Sequence, residues 1–485
     1  MTTQRQRSGR RAFLRAALAA LPAGLTVACS NSIGPARLPK SPAKARVVVL
    51  AAHAASSAGG QAVPAWVEAA RGAVEGLNTH PQPGVRLPPL DFGVFGADQA
   101  AGARTVGSSG QPFFNNDAYV DALAQRLTDG VDVLLFNATF PPGALVSLHQ
   151  RRVLTSLAPL LAHERRQPTD YYPSALLLGR VQGEQLVLPL AVLPQLLRFD
   201  AAMLRAAGLG VPPPAQPWPW QQLIDAAQVL AGRARGRAVP QWLCDVTTLA
   251  PEIPIWQAGG EVIDVNDAVL LDQPAAIQGV TCWRDLVTRD RLVVPQSGVG
   301  AVPKDPARPY AIRAWGGYAA STFATPADAD SPDLAAIATS WDVGLGFAPI
   351  PVGLPGGITP VTKIELQVGA GISASSRQPE AALAVLRALE AAVGPSLLVS
   401  ARQPLAMKML EQGRLDARLA SAIAWGMQVG RASAADQVGV GSLLGGLRDV
   451  FPGYQHATGA DPATACSAVA QALRARLSAM SSQAG

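Results

Sequence analysis

In the stretch AYVDALAQRLTDGVDVLLF, residues 118–136, two hydrophobic periods meet at a turn. Ala118 to Leu127 repeats apolar residues at helical spacing and reads as an amphipathic helix, whereas Val131 to Phe136 is an apolar run of strand length. Asp129-Gly130 between them is a turn pair. The same alternation appears upstream. Arg46 to Leu50 is a β-branched apolar run bounded by His53 and Gly59-Gly60, and Pro64 then opens a helix with Val67, Ala70, Val74 and Leu77 on one face. Strand and helix in turn, with strands this apolar, predict an α/β fold of parallel sheets and crossover helices. Further helices are predicted where Pro219 precedes Trp220, Leu223, Ile224, Ala227 and Leu230, where Pro379 precedes Ala382, Val385, Leu386 and Leu389, and after Asp461-Pro462. Proline suits a first helical position, because its φ is already helical and no partner is needed for the N–H it lacks. No internal repeat of solenoid period is present.

The beginning of the chain reads differently. Arg10, Arg11, Phe13, Leu14 and Arg15 lead into the small, apolar run Ala16 to Ala28, the pattern of a signal peptide. That run falls short of the roughly 20 residues of a membrane-spanning helix and ends at Cys29. Ser8-Gly9-Arg10-Arg11-Ala12-Phe13-Leu14-Arg15 resembles a twin-arginine export signal, and Leu25-Thr26-Val27-Ala28-Cys29 resembles the lipobox of bacterial lipoproteins. Thr26 departs from the lipobox pattern, which has an aliphatic residue there. Residues 1–28 are therefore expected to be a leader and Cys29 the site of a diacylglyceryl anchor, where several acyl chains together hold far better than one. A cleaved leader with an incidental Cys29 is the alternative. Residues 29–45, with Pro35, Pro39 and Pro42 and no apolar periodicity, read as a flexible tether.

Charge and size bound the rest. The leader holds five arginines and no acids, so its removal takes the formal net charge from +6 to about +1. No basic run remains that would point to nucleic acid. About 440 residues exceed the usual size of one hydrophobic core, so two lobes are expected. Beyond Cys29 the cysteines are Cys244, Cys282 and Cys466, an odd number that allows at most one internal disulfide. Cys244 with Cys282 is the favoured pair, and free buried thiols are the alternative.

From Asp129 onward the order of motifs resembles the extracellular solute-binding proteins of the family 1 type, which includes maltodextrin and other sugar receptors. The motifs are Asp129-Gly130-Val131-Asp132-Val133, Gly183 to Pro189, Leu197-Arg198-Phe199-Asp200, Ala207-Gly208-Leu209 and Trp218-Pro219-Trp220. Downstream stand Trp256 to Gly260, Asp272 to Ala276, Ala311 to Tyr318, Trp341-Asp342-Val343, Pro349-Ile350-Pro351 and Gly369 to Ala374. Pro219 departs from the threonine usual in that family and removes a helix-capping oxygen.

The resemblance implies a two-lobed periplasmic-binding-protein-like fold of type II, with the ligand cleft between the lobes. Residues 46–190 with 352–395 would build the N-terminal lobe, and residues 191–351 with 396–485 the C-terminal lobe. Crossings are expected near Leu188 to Val192 and Pro349 to Val352. Function follows as the receptor subunit of an ABC importer, a monomer that binds a carbohydrate-like solute by hinge closure and delivers it to permease subunits, without a cofactor. Ligand-binding positions carried over by this likeness are His53 and Ser56 after the first strand, Phe136, Asn137 and Thr139 after the Asp132 strand, Trp256, and Trp315 with Tyr318. A Trp or Tyr face suits the C–H face of a sugar, and polar groups at its rim suit the hydroxyls. Trp218 and Trp220 read as helix-packing residues. Arg313, Lys363 and Glu365 lie near the expected cleft edge and leave a charged solute as an alternative.

Catalytic and metal constellations are not apparent in the sequence. His53, His80, His149, His163 and His456 form no HExxH or paired ligand spacing, and Gly107-Ser108-Ser109-Gly110 is not a GxSxG elbow. Ser41-Pro42-Ala43-Lys44 matches SxxK formally but lies in the tether. Glu252, Glu261 and Asp264 are spaced to offer the two carboxylates of a glycan hydrolase, and read more simply as surface acids. A secreted hydrolase and a surface interaction module without a small ligand are the rival functions.

Overall fold

Three consecutive valines open strand β1 (Val47–Ala52), where β-branched side chains fit a pleated, buried surface. The computed structural model describes residues 46–52, 65–80, 87–95, 104–106, 112–114, 116–137, 143–163, 170–234, 242–246, 249–264, 266–290, 310–315, 345–354, 360–393, 399–411, 417–451 and 459–484. After β1 come α1 (Ala65–Thr79), β2 (Leu90–Phe95), β3 (Arg104–Val106), β4 (Pro112–Phe114), α2 (Asn116–Thr128) and β5 (Val133–Asn137). Next are α3 (Ala144–Gln150), α4 (Ala158–His163), α5 (Pro173–Leu177), β6 (Arg180–Val181), β7 (Glu184–Gln185), β8 (Val187–Pro194) and β9 (Leu196–Asp200). They are followed by α6 (Ala201–Ala206), α7 (Trp220–Ala234), β10 (Trp242–Asp245), α8 (Glu252–Gln257), α9 (Pro274–Thr288), β11 (Tyr310–Trp315) and β12 (Leu345–Ala348). The remainder is β13 (Thr362–Ile372), α10 (Pro379–Val393), α11 (Gln403–Glu411), α12 (Ala417–Val429), β14 (Gly430–Arg431), α13 (Ala434–Gln437), a 3-10 helix (Gly441–Val450) and α14 (Pro462–Ala484).

These strands make two principal sheets. The first runs β14-β13-β5-β1-β2 with β8 also on β13, and the second runs β10-β11-β9-β12. In the first sheet β1 is parallel to β2 and β5, as the alternating pattern predicts, and β13 joins β5 and β8 antiparallel. Val47, Val49 and Ala51 pack with Val67, Ala70 and Val74 of α1 and with Val385, Leu386 and Leu389 of α10. Leu50 and Ala52 face the other way and pack with Leu123 and Leu127 of α2. Successive side chains of a strand point to opposite faces, so a strand covered on both sides must be apolar throughout. Asp132 locks the entry to β5: its carboxylate accepts from the Val48 N–H at 3.0 Å and from the Ser376 hydroxyl at 2.5 Å.

The chain leaves the first sheet for the second at Gln195, the residue between β8 and β9, and returns between β12 and β13. Gln195 is buried and ties that crossing together. Its N–H donates to the Lys363 carbonyl (2.8 Å), its carbonyl accepts from the Thr362 hydroxyl (2.7 Å) and its side-chain oxygen accepts from the Ala250 N–H (2.8 Å). At the return crossing, the cap missing at Pro219 is replaced by backbone: Trp220 N–H donates to the Val352 carbonyl, and Val352 N–H to that of Trp218, each at 3.0 Å. Trp218 and Trp220 are buried, and the Trp220 indole N–H donates to Gln257, whose amide reaches the Pro351 carbonyl. The C-terminal helix α14 lies on α9 and the 3-10 helix, and Arg474 grips Asp272 through two 2.8 Å hydrogen bonds.

Cys282 and Cys466 are free and buried, so Cys282 forms no disulfide with Cys244, the favoured pair, and the alternative of free buried thiols holds for both. Burial pushes the Cys466 thiol up to about 12, as expected of an inert core residue. Among the described residues no helix is long and apolar enough to cross a membrane.

Candidate functional site

Parallel strands β1, β2 and β5 end level, Ala52 pairing with both Phe95 and Phe136. In open α/β sheets the crevice for ligand lies off such carboxyl ends. Asn137 closes the β5 ladder opposite Val368 of β13. In the second sheet Trp315 ends β11 opposite Leu196, next to the Gln195 crossing. The two residues nominated from different sheets thus both terminate strands beside the crossings. His53, Ser56, Thr139 and Tyr318 lie outside the described residues.

Two nominated aromatics are corrected by their surroundings. Phe136 is only 2 % exposed, and its ring covers Gly369, where an added Cβ would stand 2.8 Å from the ring tip. Strand alternation turns Phe136, like Leu134, toward the core shared with α2, so it offers no wall to a solute. Trp256 is 5 % exposed; its indole N–H donates to Glu261 at 2.7 Å, and the Arg431 guanidinium sits 4.6 Å from its ring centre. Arg431 also pairs with Glu261. Trp256 is therefore covered by an arginine held in place by a carboxylate, a cation–π arrangement that leaves that ring face no room for a sugar.

Beside this group lies a second ionic cluster that sequence reading did not assemble. Lys363, the ladder partner of Arg431, places its ammonium 2.7 Å from Glu252 of α8 and 2.8 Å from Asp436 of α13. Burial disfavours the charged lysine, but Asp436, Glu252 and Glu365 outweigh it and move its pKa upward. Burial likewise works against the Glu252 carboxylate, which is 1 % exposed, and Lys363 with the local hydrogen bonds brings its pKa below the usual carboxylate range. Glu252 and Glu261, two of the three acids spaced for a glycan hydrolase, each face a basic side chain, and Glu252 is buried rather than the surface acid expected of it. Lys363 is likewise occupied by carboxylates and is not available to select an anionic solute. The signal that could have found this cluster is weak: no periodicity links positions so far apart in the chain.

A tight contact joins α13 to the first-sheet side. Gly439 has φ +75° and a Cβ there would stand 2.6 Å from Val146 of α3, while Gly143, at φ +77° ahead of α3, would bring a Cβ to 3.3 Å from the Gly439 carbonyl. Only glycine takes such φ without strain and permits this approach. Among the described residues no group of three or more His, Cys, Asp or Glu could hold a metal ion.

Two α/β sheets joined by crossing strands, with level parallel strand ends beside the crossings, define the two-lobed periplasmic-binding-protein fold of type II. Solved structures share it. An ABC substrate-binding protein of Listeria monocytogenes in complex with cycloalternan superposes with a TM-score of 0.59 at 14% identity, covering 89% of this chain and 99% of that one. The maltose-maltodextrin binding protein of Alicyclobacillus acidocaldarius gives 0.57 at 16% identity, covering 89% and 100%. UgpB of Mycobacterium tuberculosis, in complex with glycerophosphocholine, gives 0.56 at 19% identity, covering 85% and 95%. No curated protein matches in sequence. The family model of bacterial extracellular solute-binding proteins matches residues 107–393, more than half of the chain, and the chain belongs to that family. It is accordingly an exported, extracytoplasmic binding protein.

Proposed function

We propose that this protein is the receptor subunit of an ABC importer and binds a neutral, carbohydrate-like solute between its lobes. The observation that carries the reading is the membership of residues 107–393 in the solute-binding family, on a fold whose strand ends converge at the crossings. Cyclic and linear saccharides are named for several structural neighbours, against glycerophosphocholine for one, which supports a sugar over other solutes. Occupation of Lys363 by two carboxylates argues in the same direction, against the charged-solute alternative.

In this reading one lobe is built on the β14-β13-β5-β1-β2 sheet with β8, so that the first crossing falls at Gln195 rather than at Leu188 to Val192 and residues 399–431 stay with the first lobe; the other lobe is built on β10-β11-β9-β12, and the protein works as a monomer without catalysis. Asn137 and Thr139 approach the solute from the first lobe, with His53 and Ser56 on the neighbouring loop. Trp315 forms the aromatic wall of the second, with Tyr318 beside it. A solute touching both lobes favours closure, and the closed form is the one that engages the permease. Cys29 carries the lipid anchor on the outer face of the cytoplasmic membrane after twin-arginine export.

A thermal-shift screen with neutral oligosaccharides tests the solute class, since saturation at about 100 times Kd stabilises the folded form by roughly 2.7 kcal/mol. Trp315→Ala should abolish most of that gain with little change in the unliganded midpoint. No shift with any saccharide, together with hydrolysis of a chromogenic glycoside, would replace this reading by the secreted hydrolase. Cys29→Ser should leave the leader uncut or release the protein from membranes, and an unchanged membrane fraction refutes the anchor.

A further inference from the structure

Gln367 is 9 % exposed, and its side-chain nitrogen is fully buried without a hydrogen-bond partner among the described residues. An amide N–H removed from water and left unpaired is destabilising, so buried amides are nearly always satisfied and an exception calls for an explanation. Its place in the fold supplies one. Leu366 pairs with Val192 and Val368 with Ala191, which leaves Gln367 as the extra residue of a β-bulge in β13. Bulges bend a strand and re-aim a side chain, and they concentrate beside functional sites. On the other edge of β13 the ladder with β5 ends at Val368–Asn137. Gln367 is thus the first β13 residue past the carboxyl end of β5, at the level where the parallel strands β1, β2 and β5 stop.

We propose that Gln367 is a solute-binding residue whose side-chain nitrogen donates to an uncharged oxygen of the ligand, a hydroxyl or ether oxygen of a polyhydroxy solute. The assignment rests on the carbohydrate reading above and refines it. A donor without a charge suits a neutral acceptor: it orients a sugar oxygen without the desolvation that an ion would require. The bulge serves to hold this one amide at the strand ends, where the regular ladder would carry it past the solute.

Gln367→Met removes both polar atoms at nearly constant length, and Gln367→Glu keeps the shape while replacing the donor by an acceptor. Calorimetric titration with maltotriose should show Kd weakened about tenfold in Gln367→Met, the value of one hydrogen bond, and at least as much in Gln367→Glu. The unliganded Gln367→Met protein should melt at the wild-type midpoint or about 1–2 °C above it, because an unsatisfied group has been removed. Unchanged Kd in both variants overturns the assignment. So does a lowered unliganded midpoint in Gln367→Met, which would reveal a structural partner or a resident water for the amide. If wild-type protein binds no maltotriose, the titration is run with the saccharide that gives the largest shift in the thermal screen; no shift with any saccharide sinks the carbohydrate reading itself, and the unliganded midpoint then still judges Gln367.

Discussion

Replacing Lys363 by methionine tests whether the two-carboxylate cluster holds the crossing region together. In the native protein the Lys363 ammonium lies 2.7 Å from Glu252 and 2.8 Å from Asp436. Asp436 is partly open to water and can be rescued by it, but Glu252 is 1 % exposed and would be left as a buried, uncompensated charge. Breaking such a pair from one side costs about 3–5 kcal/mol, whereas replacing both members by neutral groups of similar volume is often close to neutral. Lys363→Met should therefore destabilise by about 3–5 kcal/mol, and adding Glu252→Gln should recover about 2 kcal/mol or more of that loss.

The pH dependence carries the sign. The native Glu252 pKa lies below its ordinary value, so its contribution is present above the ordinary carboxylate range and is lost as pH falls through the folded value. Without Lys363, burial, the largest influence on Glu252, is opposed only by its backbone and Ser433 hydrogen bonds and raises its pKa, so Lys363→Met should gain stability on acidification from about pH 7 to 5, where the parent changes little. Urea unfolding of parent, two single variants and the double variant, followed by tryptophan fluorescence and circular dichroism at pH 7 and 5, provides the measurement. Additive single effects, or a Lys363→Met loss below about 1 kcal/mol, would show that the pair is solvated and the reasoning wrong.

Three other outcomes are expected. Arg431→Ala should uncover Trp256 and raise its accessibility to acrylamide quenching, at a stability loss of no more than about 1 kcal/mol for a half-exposed cation–π contact; unchanged quenching would mean that Arg431 does not shield the ring. Gly439→Ala should lower stability by about 1–3 kcal/mol, since φ +75° and a 2.6 Å approach to Val146 both oppose a methyl group, and an unchanged melting midpoint would refute that contact. Asp132→Ala should also cost about 1–3 kcal/mol, because the partly buried Val48 N–H and the Ser376 hydroxyl lose their acceptor, and amide exchange at Val48 should quicken.

Local physics made much of the fold legible. The Ala118 to Phe136 segment forms α2 and β5 where the two hydrophobic periods place them, and the valine run forms β1. The prolines at 219, 379 and 462 stand at or next to helix starts because a fixed φ and a missing N–H act within one turn. The motif order also identified the family, through signals each confined to a few residues. What short windows could not contain was assembled only by packing. Phe136 belongs to the core because β5 is covered on both faces, and Trp256 is capped by Arg431, far away in the chain. The Lys363–Glu252–Asp436 cluster draws on β13, α8 and α13, and no periodicity connects them. The bulge at Gln367 depends on the register of β8 against β13, which two strands settle together and neither specifies alone. Sequence by itself thus determined the elements and the family, whose determinants are local; the tertiary structure decided which polar groups are paired and left the Gln367 amide nitrogen without a partner among the described residues, because that depends on contacts between residues distant in the chain.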